Sequence, residues 1–267
     1  MKVSRRDLLN GAGTMMLGSV LGALAFSGHD TQAATGQSGS PPELPWPYKK
    51  VNPQAVGEAG YYGFYKGACC YGAFEAIMGE LRREVGHPYT IIPTTMWVVG
   101  EGGLAGISTL CGALNGASFA IFLAKGGLER EQREAAFALI KDLFTWYEQT
   151  PLPDYRPKNP KFEIVTSASH SPLCHVSVSN WCKKSGFKSF SKERAERCAW
   201  LTGTVAKKAV ELLNASSAGT FKPAYSFTKE TQACRSCHDQ GSVLENTRGM
   251  MDCGGCHFTE PAKHPKI

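Results

Sequence analysis

The sequence contains no run of three or more consecutive Lys or Arg residues, although 29 basic residues outnumber 23 acidic ones and give a formal net charge of +6. A basic excess dispersed in this way leaves no electrostatic footprint for nucleic acid, so we exclude nucleic acid as a partner. No internal repeat is present apart from two five-residue motifs near the C-terminus. The charge pattern therefore gives no hint of function, and the informative residues lie elsewhere.

An uninterrupted apolar run that could cross a membrane is also missing after the N-terminus. Residues 102–124 carry no charge, but they include five glycines together with Ser108, Thr109, Asn115 and Ser118. A membrane span is the alternative interpretation of this stretch. Its small and polar residues favour a buried helix that packs closely against its neighbours.

Residues 1–33 are predicted to be a twin-arginine signal peptide. Residues 4–9 read Ser-Arg-Arg-Asp-Leu-Leu, a Gly/Ala-rich apolar stretch follows, and Thr31-Gln32-Ala33 offers a small-residue cleavage site. The alternative is an uncleaved N-terminal anchor, but the stretch is short and only mildly apolar for a span. We therefore expect export to the periplasm by the twin-arginine route and no stable membrane span after the signal is removed.

Two C-x-x-C-H motifs lie in the last 34 residues, Cys234-Arg235-Ser236-Cys237-His238 and Cys253-Gly254-Gly255-Cys256-His257. This motif attaches c-type haem: two thiols bind the two vinyl groups of one haem edge, and the adjacent histidine is the proximal iron ligand. The sequence therefore predicts two haem c groups per chain. The predicted attachment cysteines and proximal ligands are Cys234, Cys237, His238, Cys253, Cys256 and His257.

The same four cysteines also have a zinc-ribbon spacing, C-x2-C-x15-C-x2-C. A zinc site of four thiolates would leave His238 and His257 unexplained. Two histidines at the same following position, in a chain with an export signal, favour covalent haem.

The hydrophobic pattern predicts a mainly α fold, in which a helical cysteine-rich domain precedes a short, mostly irregular dihaem C-terminal segment. The predicted domains are 34–215 and 216–267. Helices are predicted over 67–85, within 102–124, over 129–149 and over 191–214. A short strand or extended connector is predicted over 89–99. The remaining predicted segments are an irregular Pro-rich arm over 34–60, a loop over 151–160 and an aperiodic stretch over 164–182.

Six further cysteines could form a metal or iron–sulfur site, three disulfides, or inert core thiols, and the residues alone leave all three open. They are Cys69, Cys70, Cys111, Cys174, Cys182 and Cys198. Cys69 and Cys70 fall in the first turn of a predicted helix, where exposed N–H groups favour a thiolate. Cys111 and Cys198 are predicted to lie mid-helix on apolar faces. The aromatic residues of the 129–149 helix are interpreted as plain core.

The blocks Cys69-Cys70-Tyr71-Gly72-Ala73 and Cys111-Gly112-Ala113-Leu114-Asn115-Gly116-Ala117, with Cys174 and Cys198, resemble the C-GCAxxG-C-C family of redox-active proteins. Together with the two haem motifs and the export signal, they make the chain similar to the split-Soret cytochromes c. The resemblance implies a homodimer with two closely packed haems per subunit. It also implies bis-His ligation, with one axial histidine crossing from the other subunit.

The resemblance further implies an additional iron centre of 2Fe–2S type in the helical domain. We assign its ligands to Cys70, Cys111, Cys174 and Cys198, with Cys182 as the first substitute and Cys69 as a bystander. Distal haem ligands must come from His87, His170, His175 or His264, and we predict His175 and His264.

Haem iron with two histidine ligands has no open coordination position, so it passes electrons and does not bind substrate. The predicted function is a periplasmic electron carrier that moves single electrons between redox partners, and a carrier is favoured over a catalyst. The alternative is a periplasmic oxidoreductase that reduces thiols, disulfides or small molecules with electrons from the haems. An exposed Cys69 of low pKa would favour this alternative.

Overall fold

The structure is a computed structural model that describes residues 41–257. The predicted signal peptide and His264 lie outside these residues. The described part is mainly helical, which confirms the predicted fold class. Its six α-helices are α1 (Pro53–Glu84), α2 (Gly112–Lys125), α3 (Arg130–Gln149), α4 (Cys174–Ser185), α5 (Lys192–Ser217) and α6 (Lys229–His238).

Helix α1 begins where a cap and a proline coincide. The Asn52 side chain accepts hydrogen bonds from the backbone N–H groups of Gln54 and Ala55, and Pro53 occupies the first helical position. The predicted arm over 34–60 is therefore too long, because the helix starts at Pro53. Fourteen residues of helix, 53–66, precede the segment that the sequence pattern identifies.

A sharp reversal divides α1 at Gly67 and Ala68, which have non-helical dihedral angles. Ala68 has a φ of 62°, in the left-handed region. A Cβ atom added to Gly63 would lie 2.9 Å from the Cα of Gly72. Residues nine positions apart are roughly 13 Å apart along a straight helix, so the two halves of α1 fold back on each other.

Helix α5 packs along α1 at backbone distance. A Cβ atom added to Gly203 on α5 would lie 2.4 Å from the carbonyl oxygen of Gly57, and one added to Gly60 would lie 3.0 Å from the Cα of Gly203. Glycines on both sides of the contact therefore allow an approach that any larger side chain would prevent.

Gly203→Ala is expected to lower the free energy of unfolding by about 2 kcal/mol, because the new methyl group must displace the backbone of α1. The matched control is Gly79→Ala on α1, where an added Cβ meets nothing within 4 Å. That control should stabilise the protein by about 0.5 kcal/mol through helix propensity. Denaturant unfolding followed by far-UV circular dichroism measures both values, and equal effects would contradict the packing argument.

Three predicted elements differ in the structure. Residues 89–99 contain 3₁₀ turns, Tyr89–Ile91 and Thr94–Gly100, instead of a strand. Helix α2 starts at Gly112, so Cys111 is its N-cap residue and does not lie mid-helix. The aperiodic stretch contains α4, which buries only Ser177 and Trp181 and so has no apolar period to detect. By contrast, Ser191 caps α5 as predicted, with its side chain accepting from the N–H of Arg194.

The main core lies between α1, α2, α3 and α5, where Phe74, Ile77, Leu114, Leu143 and Val205 are buried. Helix α2 is short and rich in alanine and glycine, as the buried-helix interpretation of residues 102–124 requires. Over residues 41–257, the structure shows no helix that combines the length and the apolarity needed for a membrane span.

The C-terminal segment is anchored to α3. The buried carboxylate of Asp142 accepts hydrogen bonds from the backbone N–H groups of Ala224 (2.7 Å) and Tyr225 (3.2 Å). At the end of α3, the Gln149 side-chain amide donates to the carbonyl oxygen of Ser226. These contacts fix the residues that lead into α6 and the first C-x-x-C-H motif.

Candidate functional site

Four cysteines from four parts of the chain lie near one another, and we call this group the cysteine pocket: Cys69, Cys111, Cys174 and Cys198. A short backbone ladder joins two of them, since the N–H of Cys111 donates to the carbonyl oxygen of Pro172 (2.8 Å) and the N–H of Cys174 donates to that of Thr109 (2.6 Å). The Sγ atom of Cys69 packs on Gly112, where an added Cβ would lie 2.4 Å from it. The fold therefore brings distant thiols together.

The loop 102–108 covers one side of this pocket. Gly102, Gly103 and Gly106 have positive φ angles, and so do Leu104, Ala105 and Ser108 (63°, 49° and 67°). Such angles are strained for residues with side chains, and strained backbone clusters at functional sites. The loop supplies donors to the pocket: the Gly102 N–H bonds to Cys69 and the Ser108 hydroxyl to Cys174.

Burial raises the pKa of three pocket thiols, those of Cys69, Cys111 and Cys174. The pKa of Cys69 lies well above its usual value because of burial and, next, the neighbouring Cys111, Cys198 and Cys174. Burial and the same kind of neighbours raise the pKa of Cys174 to about 12. A bound metal cation would lower the pKa of these thiols, because it binds the thiolate form. The prediction that the start of a helix gives Cys69 a low pKa is wrong, because burial raises this pKa more than the helix dipole lowers it.

Cys70 and Cys182 lie to the side of this group. The Sγ atom of Cys70 faces Gly100, where an added Cβ would lie 2.5 Å from it. Burial raises the pKa of Cys70 to about 12, and the neighbouring Cys111 makes a smaller contribution. Cys182 is close to Cys198 alone. The structure thus places Cys69, and not Cys70, with the three other predicted ligands.

A buried arginine, Arg197, completes the cysteine pocket. Its guanidinium donates to the hydroxyl of Ser177 (Nη2 to Oγ, 2.8 Å) and lies 4.0 Å from the Sγ atom of Cys198 (from Nη1). The hydroxyl groups of Tyr147 and Ser177 are 2.8 Å apart, and Tyr147 also hydrogen-bonds Cys111. Tyr147 lies in the main core, as predicted for the α3 aromatic residues, and its hydroxyl also joins this network, whereas Phe137 of the same helix is exposed.

All ten cysteines are free thiols in the structure, so no disulfide of the predicted alternatives is formed. Across residues 41–257, no three His, Cys, Asp or Glu side chains are arranged closely enough to ligate one metal ion. The four thiols are neighbours around one pocket and do not form a closed coordination shell.

The two C-x-x-C-H motifs contact each other. The first ends α6, with His238 as the last helical residue, and the second forms the 3₁₀ turn Cys253–Gly255. The thiol of Cys253 lies close to that of Cys234, and burial followed by this neighbour raises the pKa of Cys253. Cys234 and Cys256 are exposed, and Cys237 and Cys253 are half-buried. The structure therefore brings together the two motifs and leaves their thiols accessible to a haem edge.

Residues next to each motif orient it. The Nδ1 atom of His238 lies 2.8 Å from the Oδ1 atom of Asn246, so a hydrogen bond with Asn246 orients the imidazole ring. In the second motif, Asp252 accepts from the N–H of Gly254 and the hydroxyl of Thr231. The N–H of Asp252 in turn donates to the buried carboxyl of Glu148 (3.2 Å).

A cavity of about 440 Å³ opens beside the second motif. It is lined by Gly254 and Gly255 from the motif and by His170 and Asn180 from the helical part of the chain. An added Cβ at Gly255 would lie 2.8 Å from the carbonyl oxygen of His170. Of the candidate distal histidines within residues 41–257, His170 lines this cavity, and His87 and His175 do not.

The other two candidate histidines within the described residues lie elsewhere. The backbone N–H of His175 donates to the carbonyl oxygen of Ser108, which places His175 beside the cysteine pocket with an exposed side chain. His87 is exposed just beyond the end of α1. The structure does not bring His175 to either haem motif.

Comparisons with known proteins agree with this arrangement. The family model "redox-active protein (C_GCAxxG_C_C)" matches residues 69–212, the segment that holds all four pocket cysteines. The split-Soret cytochrome c of Desulfovibrio desulfuricans (strain ATCC 27774 / DSM 6949 / MB) is 34% identical over 283 residues, which cover 100% of this chain and 99% of that protein.

The chain belongs to the split-Soret cytochrome c family. A solved structure, "A novel iron centre in the split-Soret cytochrome c from Desulfovibrio desulfuricans ATCC 27774", matches with a TM-score of 0.74 and 34% identity. The match covers 82% of this chain and 93% of that one. The resemblance inferred from the cysteine and haem motifs is confirmed.

The residues of this chain fit the covalent haem of a split-Soret cytochrome c. Each motif supplies two thiols that are exposed or half-buried, and a hydrogen bond with Asn246 holds the imidazole of His238 beside the first motif. Sequence reasoning did not identify Asn246, Glu148 or Arg197 as functional residues. Only Arg197 carried a signal, because a charged residue at that position interrupts the apolar stripe of α5 formed with Leu201 and Val205.

Asn246→Ala is expected to raise the reduction potential of one haem, because an acceptor on Nδ1–H makes the histidine a stronger donor to iron. Asn246→Asp keeps an acceptor of greater charge and should shift the same potential in the opposite direction. Spectroelectrochemical titration measures both. Identical titration curves for the two variants would contradict the assignment of His238 as an iron ligand oriented by Asn246.

Proposed function

We propose that this protein is an exported dihaem cytochrome c that passes single electrons among two haems, an iron centre and redox partners. The contact between the Cys234 and Cys253 thiols carries the proposal, because it joins two haem-attachment motifs in one site. The anchoring of residues 224–226 to α3 ties this site to the domain that holds the cysteine pocket.

We assign both proximal ligands to the motifs, with His238 binding one haem iron and His257 the other. For the second haem, His170 replaces His175 as the distal ligand, since only His170 shares the cavity beside Gly254 and Gly255. His264, outside the described residues, remains our candidate for the other haem or for a partner subunit. With two histidines each, the haems supply reversible one-electron transfer and bind no substrate.

The iron centre is assigned to Cys69, Cys111, Cys174 and Cys198, with Cys70 removed from the ligand set. The related protein is described as having a novel iron centre. In this chain the donor set suits iron or zinc, and iron–sulfur clusters prefer thiolates. Arg197 adds a second argument, because its buried Nε has no hydrogen-bond partner and its charge faces the thiols. We propose a 2Fe–2S type centre here.

A thiol-based oxidoreductase is the less favoured function. That chemistry requires an accessible thiolate, which is formed when the pKa of a cysteine is lowered. The pKa of every cysteine in the pocket for which a shift is resolved is raised by burial. The pocket thiols therefore suit structural ligation of a cofactor better than attack on a substrate.

We further propose a homodimer and a periplasmic location. The tail from α6 to residue 257 is short, and most of its residues are exposed, so its own residues bury little apolar surface around two haems. A second subunit supplies the cover and, through an axial histidine, a ligand. Lysine substitutions of Arg5 and Arg6 should stop export if the twin-arginine route is used, which cell fractionation detects.

Purified oxidised protein tests the proposal. Mass spectrometry of the denatured chain should show two covalently bound haems, and metal analysis should show more than two irons per chain. Light scattering should give the mass of a dimer. A colourless protein, or one with zinc bound to the motif cysteines, would contradict the assignment. Two haems without extra iron would leave the cytochrome and remove the iron centre.

A further inference from the structure

The side chain of Arg197 is 1% exposed, and it forms no ion pair with a carboxylate in the described part of the chain. A buried charge without a counter-charge costs several kcal/mol. A hydrophobic residue or a shorter polar residue at this position would avoid this cost. Arg197 therefore requires a negatively charged partner, and no side-chain carboxylate in the described part of the chain supplies it.

The surroundings of Arg197 identify where that negative charge belongs. Nη2 donates to Ser177, Nη1 approaches Cys198, and Nε has no hydrogen-bond partner. The groups that interact most strongly with its charge are thiols and a phenol. They are Cys198 on α5 itself, Tyr147 on α3, Cys174 on α4 and Cys111 at the start of α2. Arg197 thus faces the cysteine pocket from α5, across from α3 and α4.

We propose that Arg197 is the positioning residue that supplies the fixed counter-charge of the iron centre and raises its reduction potential. This inference rests on the proposed function, specifically on an iron centre held by the pocket cysteines. Thiolates bound to iron carry net negative charge. When a haem iron loses one electron and the iron centre gains it, the pocket becomes more negative by one charge, which a nearby permanent cation stabilises.

The roles of the neighbouring residues follow from the geometry. Ser177 holds Nη2 and thereby orients the guanidinium, and Tyr147 closes the network by contacting both Ser177 and Cys111. Arg194 provides a natural comparison, since its Nη1 also lies 4.0 Å from the Sγ atom of Cys198. Arg194 is only half-buried, so water screens its charge and its effect on the centre should be small.

The experiment compares Arg197→Met, Arg197→Lys and Arg194→Met in the haem-loaded, full-length protein. Iron-to-haem ratio and the reduction midpoint of the iron centre are measured for each variant. Arg197→Met should lose the extra iron, or keep it with an at least tenfold smaller equilibrium constant for reduction, which is 59 mV for one electron. Arg197→Lys should retain the iron with a smaller shift, and Arg194→Met should change the constant less than twofold.

Unchanged iron content and midpoint in Arg197→Met would overturn the inference, and so would an Arg197→Lys variant that fails as completely as Arg197→Met. If Arg197→Met does not fold, Ser177→Ala carries the test through an expected severalfold decrease in the same equilibrium constant, and no decrease would overturn the inference. Wild-type protein without extra iron would instead overturn the proposed iron centre itself, together with the role of Arg197.

Discussion

Cys69→Ser is expected to remove the extra iron while both haems stay attached, and Cys70→Ser is expected to leave the iron content unchanged. The two residues are adjacent in sequence, but their thiols lie in different environments. Cys69 shares the cysteine pocket with Cys111, Cys174 and Cys198, whereas Cys70 packs its thiol on Gly100. Loss of one direct ligand should lower the retained iron more than about tenfold. Substitution of residues that merely contact a metal ligand already lowers metal affinity by up to ~100-fold.

The adjacent pair is its own control, since both variants replace a thiol by a hydroxyl at the start of the same helical segment. Iron and haem are measured on the same samples by metal analysis and by the absorbance of the denatured haem. Loss of iron in Cys70→Ser alone would restore the ligand set predicted from the sequence. Loss in neither variant would place the iron outside the cysteine pocket.

Glu148→Gln is expected to stabilise the protein at pH 8 relative to wild type and to have little effect near pH 4.5. Glu148 is 4% exposed on α3, and its carboxyl accepts the backbone N–H of Asp252. Burial, with a smaller contribution from the charge of Asp252, raises the pKa of Glu148 from 4.5 to about 7. The folded protein therefore holds a proton on Glu148 that the unfolded chain releases above its own pKa.

The sign of the effect follows from proton linkage. Between pH 4.5 and 7 the folded state binds more protons at Glu148 than the unfolded state, so stability falls as pH rises through this range and stays lower above it. A shift of this size corresponds to about 3 kcal/mol. Glutamine is neutral at every pH and keeps an oxygen acceptor for Asp252, so it removes this contribution.

Urea unfolding at pH 5, 6, 7 and 8, followed by circular dichroism, measures the difference between Glu148→Gln and wild type. The difference should grow with pH and level off above pH 7. Glu131→Gln, an exposed residue of the same helix, controls for the loss of one negative charge. A difference that is independent of pH would mean that Glu148 does not hold a proton in the folded protein near neutral pH.

The haem motifs could be recognised from the sequence because the chemistry requires all five residues of each motif to be contiguous. Helix ends marked by local signals were also predictable, as the Ser191 cap shows. These features depend on residues within one or two turns of each other. The mainly α fold follows from the same kind of local periodicity.

The composition of the cysteine pocket could not be derived in this way. Whether Cys69 or Cys70 faces the pocket depends on the reversal at Gly67 and Ala68, which sets the rotation of the helical segment that follows. The exclusion of His175 from the haem motifs depends on the pairing of loop 102–108 with the start of α4. Both result from contacts between segments that are far apart in the sequence.

The carboxylate of Asp142 would bear on electron transfer in the proposed cytochrome. It binds two consecutive N–H groups, those of Ala224 and Tyr225, and so holds the start of the tail against α3. With this anchor in place, the tunnelling distance between a group bound in the tail and a group bound among the helices would stay constant. Transfer between them would then proceed at one intrinsic speed, without waiting for a domain motion.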